Sequence, residues 1–349
     1  MRKLLLFLFL LPGLVALHAE SPQADTIRAL VPTGMSVYRH GYREQTDAMK
    51  AIYDQTLQDL LGWEANNYSP NMYHRCDLPN VPNTWSYQDV MHLLMRMYND
   101  IPELYCLSST IPRYDYTNYN YYARMSIVLT PSVYLHELQH IYAIADTLLA
   151  GITPGMSDYE KLKVIHDAYI DWGNYGGMSD AWAGTIRLAL QSHKAVCEGN
   201  ARAGLFLCQQ AGLNCIYVGG QLCTSTTDDT WGNHAWNYVQ VDGRWYLMDL
   251  TTDGAFPGVC GYSAFLKGQS YFQTNYRLTS TDGSDPNLSG IYTALPTLAT
   301  ADYDPNTSPT GVKETQEHRN IENQKILCGG RLYLRHNSSL YDLNGRKLK

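Results

Sequence analysis

Cysteine, histidine and aspartate can together do nucleophilic chemistry when a fold brings them into contact, and three residues of this sequence have the setting for it. Cys197 lies in Lys194-Ala-Val-Cys-Glu-Gly-Asn-Ala-Arg-Ala, at the start of an amphipathic helical stretch. The first-turn N–H groups of a helix lack intrahelical acceptors and carry the positive end of its dipole. Both effects favour a thiolate, and the same N–H groups can hold the oxyanion that forms when a carbonyl is attacked. Gly199 would keep the surface clear near the sulfur. A cysteine in this position, taken alone, also reads as a buried structural thiol. The second part is His234-Ala-Trp-Asn-Tyr-Val-Gln-Val-Asp-Gly-Arg-Trp-Tyr-Leu-Met-Asp249. An Asp-Gly pair between alternating apolar residues signals a two-residue hairpin turn. Such a turn pairs Val241 with Arg244 and, counting back, Trp236 with Asp249. His234 then shares a face with Trp236 and sits diagonally from Asp249, at about 7–8 Å between Cα atoms, within reach of a hydrogen bond. A carboxylate there would fix the imidazole tautomer and support its charged form. A three-residue turn would reverse the parity and separate them.

A different chemistry competes. His136-Glu137-Leu-Gln-His140 has the spacing by which some helices bind zinc through two histidines, with the glutamate as base. Asp146 stands where a third ligand can lie. The helical pattern, however, runs unbroken to Ala150, and residues 140 and 146 are then about 240° apart around the axis. The plainer reading is a polar helix face.

The elements that would position these residues are legible from spacing. Apolar periodicity predicts helices over Gln45–Leu61, Tyr87–Tyr98 with Ser86 as cap, Ser132–Ala150, and Ser157–Trp172 with a Ser157/Glu160 capping box. A further helix is predicted between Val196 and Ala211, burying Cys208 as a small core residue. The period then changes to two, predicting strands over Cys215–Val218, His234–Val241 and Arg244–Leu250. Tyrosines clustered from Tyr114 to Tyr122 read as alternating residues of a half-buried strand, although such a run can also line a carbohydrate or peptide cleft. Helices first and antiparallel strands after them indicate an α+β fold.

Lys194-Ala-Val-Cys-Glu-Gly, His234-Ala-Trp-Asn and Asp242-Gly-Arg-Trp-Tyr-Leu-Met-Asp-Leu-Thr, in that order, resemble the bacterial transglutaminase-like superfamily. Met156-Ser-Asp-Tyr-Glu-Lys, Val164-Ile-His-Asp and Asp100-Ile-Pro-Glu-Leu-Tyr resemble segments that precede its nucleophile. The resemblance covers roughly residues 45–275 and implies a papain-like core. It implies Cys197 as nucleophile, His234 as general base and acid, and Asp249 as its orienter. Gln191, six residues before the cysteine, is an oxyanion candidate by the same likeness, and His166 and Asp167 are taken to support packing. The sequence departs from the family at Asn200, where an aromatic residue is common, and at Thr251-Thr-Asp253, where a Trp often follows. Asn200 and Trp236 are therefore candidates for shaping the substrate cleft, with Trp236 acting more as a shield than as a contact.

The chain ends carry address information. Arg2 and Lys3, an apolar run from Leu4 to Leu17 and Ala19 make an export signal over residues 1–19. The run is shorter than the roughly twenty residues of a membrane span. Residues 20–150 read as a helical and Tyr-rich extension, 151–297 as the catalytic core, 298–318 as a polar linker and 319–349 as a small C-terminal β module. That ending resembles the sorting modules of exported Bacteroidetes proteins. The 349 residues, 45% hydrophobic, can bury a sizeable core. A net charge of −7 argues against nucleic acid. Eight cysteines in an exported chain would suggest disulfides, with at least one further free thiol if one is a nucleophile. The reading is an exported, periplasmic or cell-surface thiol enzyme acting on peptide or protein amides, including those of the cell envelope. It needs no cofactor and has no transmembrane segment. A non-catalytic surface-binding protein of the same fold is the alternative, and a zinc protease the lesser one.

Overall fold

The computed structural model describes residues 22–32, 36–63, 68–69, 73–117, 119–126, 129–225, 229–254, 261–278, 295–307, 323–328, 331–336 and 339–341. The export signal read at residues 1–19 lies outside them, as does most of the stretch read as a linker.

The N-terminal part opens with helices α1 (Pro22–Leu30), α2 (His40–Arg43) and α3 (Asp47–Leu61), followed by strands β1 (Tyr68–Ser69) and β2 (Tyr73–Leu78). Helix α4 (Tyr87–Asp100) starts at a reciprocal capping box between Ser86 and Asp89. A 3₁₀ turn over Pro102–Cys106 leads into β3 (Leu107–Asp115) and β4 (Asn120–Ser126). These four strands form an antiparallel sheet in the order β1-β2-β4-β3. The tyrosine cluster sits at the β3–β4 turn, where Tyr114 pairs with Tyr121. Tyr121 is buried, whereas Tyr116 and Tyr119 stand out into solvent.

Helix α5 (Pro131–Leu148) runs without a break through both histidines of the zinc-like spacing. Helix α6 (Asp158–Trp172) begins at the predicted Ser157/Glu160 capping box. The short strand β5 (Asn174–Tyr175), helix α7 (Ile186–Gln191) and strand β6 (Lys194–Ala195) then lead into α8 (Cys197–Gln210). The second sheet follows, with β7 (Cys215–Ser225), β8 (Thr230–Val241) and β9 (Arg244–Met248). After α9 (Leu250–Gly254) and α10 (Gln269–Asn275), β10 (Tyr276–Leu278) joins its far edge, giving the antiparallel order β10-β7-β8-β9. Asp242 and Gly243 have φ of 50° and 74°, the left-handed pair a tight two-residue hairpin turn requires. Val241 accordingly pairs with Arg244 and Asn237 with Met248. The ladder stops there, one residue before Asp249.

Alternation splits the buried residues of this sheet between two clusters. Val239, Val241, Tyr246 and Met248 join the main core with α8, while Ile216, Val218, Trp236, Tyr238 and Leu247 form a smaller core with Tyr276 and Phe272. The main core is continuous from Ile27 to Leu266. The stretch read as an extension therefore shares its hydrophobic interior with the part that carries Cys197. The Asp100-Ile-Pro-Glu-Leu-Tyr segment is the joint. The buried Asp100 carboxylate accepts from the Gly41 and Tyr42 N–H groups, and Gln209 of α8 donates to its backbone carbonyl.

The expected linker begins too early in the sequence reading. Leu298 is buried, Ala299 N donates to Trp245 O at 2.8 Å, and Tyr303 N donates to Leu266 O at 3.0 Å. Few large apolar residues suffice here because backbone bonds to the β9 edge hold the segment. Strands β11 (Asn323–Cys328), β12 (Arg331–His336) and β13 (Ser339–Tyr341) form an antiparallel sheet of their own. Six cysteines, Cys76, Cys106, Cys197, Cys208, Cys215 and Cys223, are free thiols, and Cys208 is fully buried in α8.

Candidate active site

Cys197 is the first residue of α8, half-buried, and follows an extended Val196 whose side chain gives no cap. The first helical bond is that of Asn200 N to Val196 O. The N–H groups of Cys197, Glu198 and Gly199 thus precede the helix's own bonding pattern, which makes the helix start a ready cradle for developing negative charge. Gly199 serves packing, not clearance at the sulfur. A Cβ there would lie 2.5 Å from Ala183 O and 2.8 Å from the Ala195 Cβ, so its absence lets the helix start seat against the incoming chain.

The His234 imidazole, on β8, is close enough to Cys197 for the thiol to act on its protonation, by hydrogen bonding and by charge. Its Nε2 lies 2.7 Å from Asp249 Oδ2. An ionised carboxylate can only accept, so Nε2 carries a proton and Nδ1 is the ring nitrogen left for proton exchange. Burial works against a charged imidazole here, but the hydrogen bonds to Asp249 and Cys197, and their charges, outweigh it and raise the His234 pKa to about 10.

Asp249 is fully buried at the end of β9, where it leaves the ladder and opens α9. Its Oδ1 accepts from the N–H groups of Thr251 at 2.9 Å and Thr252 at 3.0 Å. Its Oδ2 accepts from the Thr252 hydroxyl at 2.6 Å and the Tyr276 hydroxyl at 2.8 Å, besides facing His234. Burial opposes ionisation, but the hydrogen bond and charge of His234 and the bonds from Thr252 hold this carboxyl below the ordinary Asp range.

Other candidates lie elsewhere. The amide nitrogen of Gln191 donates to Glu137 O on α5 at 3.4 Å, so the donor proposed for an oxyanion ties α7 to α5 instead. Asn200 does not line a cleft. It is buried, accepting from the Tyr169 hydroxyl at 2.8 Å and donating to Thr251 Oγ1 at 3.0 Å, where an aromatic ring would lose both bonds. Trp236 is also no cleft residue. It is fully buried, edge-on to Tyr276 with ring centroids 5.0 Å apart, because α10 and β10 cover its face of the sheet. It still backs the imidazole, stacked at 6.2 Å between centroids.

In the zinc-like motif, His136 and His140 are exposed. Glu137 is engaged by the Arg187 guanidinium through two bonds of 2.9 Å and by the Tyr105 hydroxyl. A carboxylate so paired is poorly placed to activate water. Among the described residues, no group of three or more His, Cys, Asp or Glu side chains is gathered as a metal site would need. His166 is buried between Asp167 at 3.0 Å and Asp253 at 3.1 Å, clamping α6 to α9. Asp253, at the family's common Trp position, thus anchors the helix whose first turn holds Asp249.

The sequence reading missed Thr252 and Tyr276. Thr252 had a signal, since an Asp at a helix cap takes the N–H groups two and three residues on. Tyr276 had none, because it arrives from β10 by way of the sheet edge.

Comparison with known proteins bears on this arrangement. Residues 146–250, which include Cys197, His234 and Asp249, match the Transglutaminase-like superfamily. Kyphoscoliosis peptidase of Homo sapiens is 34% identical over 101 residues, covering 27% of this chain and 15% of that protein. The Mus musculus protein of the same name matches to the same extent. The chain thus matches only a small part of these relatives' length. Among solved structures, a TGase is similar at a TM-score of 0.30, with 15% identity over 38% of this chain and 41% of that one. A candidate cysteine protease from Cytophaga hutchinsonii is similar at 0.27, with 18% identity over 32% of this chain and 37% of that one. The sequence match that spans all three residues makes residues 146–250 of this α+β chain similar to the Transglutaminase-like superfamily.

Proposed function

We propose that the protein is a thiol enzyme acting on amide bonds of peptides or proteins through a Cys197 acyl-enzyme. The observation that carries this reading is the chain of contacts from an uncapped helix-start thiol to His234 and from His234 to a buried, multiply bonded Asp249. The thiolate attacks the carbonyl carbon, forming a C–S bond, and the first-turn N–H groups of α8 receive the oxyanion. The imidazolium passes its proton to the amine as the C–N bond breaks. Water then attacks the thioester, losing a proton to His234, and the C–S bond breaks to release the acid and restore the thiolate beside the imidazolium. Hydrolysis is preferred to amine transfer because water is always at hand and the sequence holds no evident acidic cluster for an amine. The peptidase name of its relatives agrees with that choice.

The test is a screen of peptide and amine substrates with Cys197→Ala as control. Release of a free acid abolished in the variant supports hydrolysis, incorporation of the amine supports crosslinking, and turnover unchanged in the variant overturns the thiol mechanism. A thiol inert to iodoacetamide near neutral pH would favour a non-catalytic binding protein. Export by the N-terminal signal, and a periplasmic or cell-surface site, belong to the same proposal. Among the described residues no helix is long and apolar enough to cross a membrane. The N-terminus of protein recovered outside the cytoplasm, read by mass spectrometry, should fall near residue 20.

A further inference from the structure

The chain leading into Cys197 runs beside a strand whose other edge pairs with no strand among the described residues. β5 pairs in parallel with β6, Asn174 opposite Lys194 and Tyr175 opposite Ala195, two residues before the thiol. The bonds between them leave β5 at alternate residues. Asn174 N donates to His193 O at 2.9 Å and Gly176 N to Ala195 O at 3.0 Å. Successive residues of a strand turn their N–H and C=O to opposite sides. The Tyr175 N–H and C=O therefore face away from β6, and both residues of β5 are exposed. A turn closed by Asp180 N on Gly177 O at 2.8 Å follows β5 and carries Met178. Met178 is 76% exposed and Tyr175 43%. Two large apolar side chains three residues apart, next to an open strand edge, differ from scattered surface residues. Burial, and then the Cys197 charge, raise the Tyr175 phenol above its ordinary range, in keeping with the two-residue step from Ala195, its partner in the ladder, to the thiol.

We propose that β5 is the substrate-docking strand, where an extended polypeptide adds to the open edge through the Tyr175 N–H and C=O while Tyr175 and Met178 hold its apolar side chains. Main-chain bonds supply affinity in such strand addition, and the flanking side chains supply preference. The turn at Gly177 ends β5 while the neighbouring chain continues through Val196 to Cys197. A docked chain passing the end of β5 is thus free to approach the sulfur two residues on. The site's link to chemistry rests on Cys197 being the nucleophile.

Binding and chemistry can be read separately. Calorimetry on Cys197→Ser would use the capped pentapeptide acetyl-Ala-Phe-Ala-Leu-Ala-amide and its single N-methyl forms. One N-methyl position should weaken binding about tenfold, as loss of one main-chain hydrogen bond does. Adding Tyr175→Ala with Met178→Ala should weaken it by at least about as much, with Tyr175→Phe close to the parent. Iodoacetamide should label Cys197 equally fast with and without the Tyr175 and Met178 changes. Absence of peptide binding, equal binding of every N-methyl form, or no effect of the double change would overturn the docking strand. An unreactive Cys197 with the binding pattern intact would overturn the nucleophile alone, leaving β5 as the site of a binding protein.

Discussion

Cys197, His234 and Asp249 are separated by 37 and 15 positions in the sequence, yet the state of His234 depends on both of the others. Triad-like groups act as a unit. Cys197→Ala and His234→Ala should therefore fold normally and each lose activity by several orders of magnitude, with the double variant hardly worse than either. Initial rates on one substrate for all four proteins test this, and near-normal rates in both single variants would refute the mechanism. Asp249→Asn should keep the contact but favour the wrong imidazole tautomer, with a loss large yet smaller than that of Cys197→Ala. Tyr276→Phe removes one donor to the Asp249 carboxylate, so that carboxyl should protonate more readily. The acid limb of the activity profile should move to higher pH with the fold intact, a shift that mere loosening of the site would not produce. Stability carries the opposite limb. The folded His234 value of about 10 exceeds the unfolded value of about 6.5. Its contribution is full below the unfolded value and is lost as pH rises through the folded one. The melting temperature should fall between pH 7 and 10, and less steeply in Cys197→Ala, where one cause of the raised pKa is gone. An equal slope in both proteins would disprove the coupling. The His234–Asp249 contact and the place of Cys197 at a helix start were legible because each lies in a local motif. Tyr276 was not, since nothing near it in the sequence records that β10 returns to the edge of β7, and Trp236 was misplaced because the same return covers its face.

The helix start and the hairpin are where local sequence chemistry does the positioning. Ser86 and Ser157 cap their helices as spacing predicts, and Asp242-Gly243 sets the register on which the His234–Asp249 contact depends. What spacing could not show is where a strand gives way. The alternation of Arg244 to Leu250 continues past Met248, but Asp249 turns its N–H to Ala264 O and its carboxylate to the first turn of α9. Tertiary partners outweigh periodicity there, and the break is what frees the carboxylate for His234. The start of α8 depends on one missing methyl group. A Gly→Ala change inside a helix ordinarily stabilises by up to about 1 kcal/mol. At Gly199 the new Cβ would meet the Ala183 carbonyl and the Ala195 Cβ, a backbone oxygen and a short, inflexible side chain. Gly199→Ala should therefore destabilise, by roughly 1–3 kcal/mol as overpacking does, and should displace the thiol. Denaturant unfolding measures the first effect and the iodoacetamide rate of Cys197 the second. A stabilised variant with an unchanged rate would show that the helix start has room to move.

At the scale of the whole chain, boundaries drawn from composition and boundaries drawn from packing differ. The N-terminal helices looked like an extension because their periodicity is complete in itself. Yet Arg202, buried in α8, donates to Tyr98 O at 2.6 Å and to Asn99 Oδ1 at 3.2 Å, and stacks on Tyr98. Removing the N-terminal part would leave that guanidinium only Glu198 of its own helix and would take both carbonyl acceptors from the Gln209 amide, so the N-terminal helices and α8 should unfold together. The C-terminal strands are different, since β11–β13 hydrogen-bond only among themselves among the described strands. If residues 319–349 are a sorting module, deleting 318–349 should remove no ladder bond from the β10-β7-β8-β9 sheet. Melting temperature should then move by less than the roughly 2–4 °C that 1 kcal/mol produces in a domain of about 150–250 residues. Activity should be retained, while the place where the exported protein accumulates should change. A substantial drop in melting temperature would show instead that the small sheet packs on the α6 side of the core as part of the enzyme. Unchanged melting with unchanged location would leave it a separate unit but remove the sorting role.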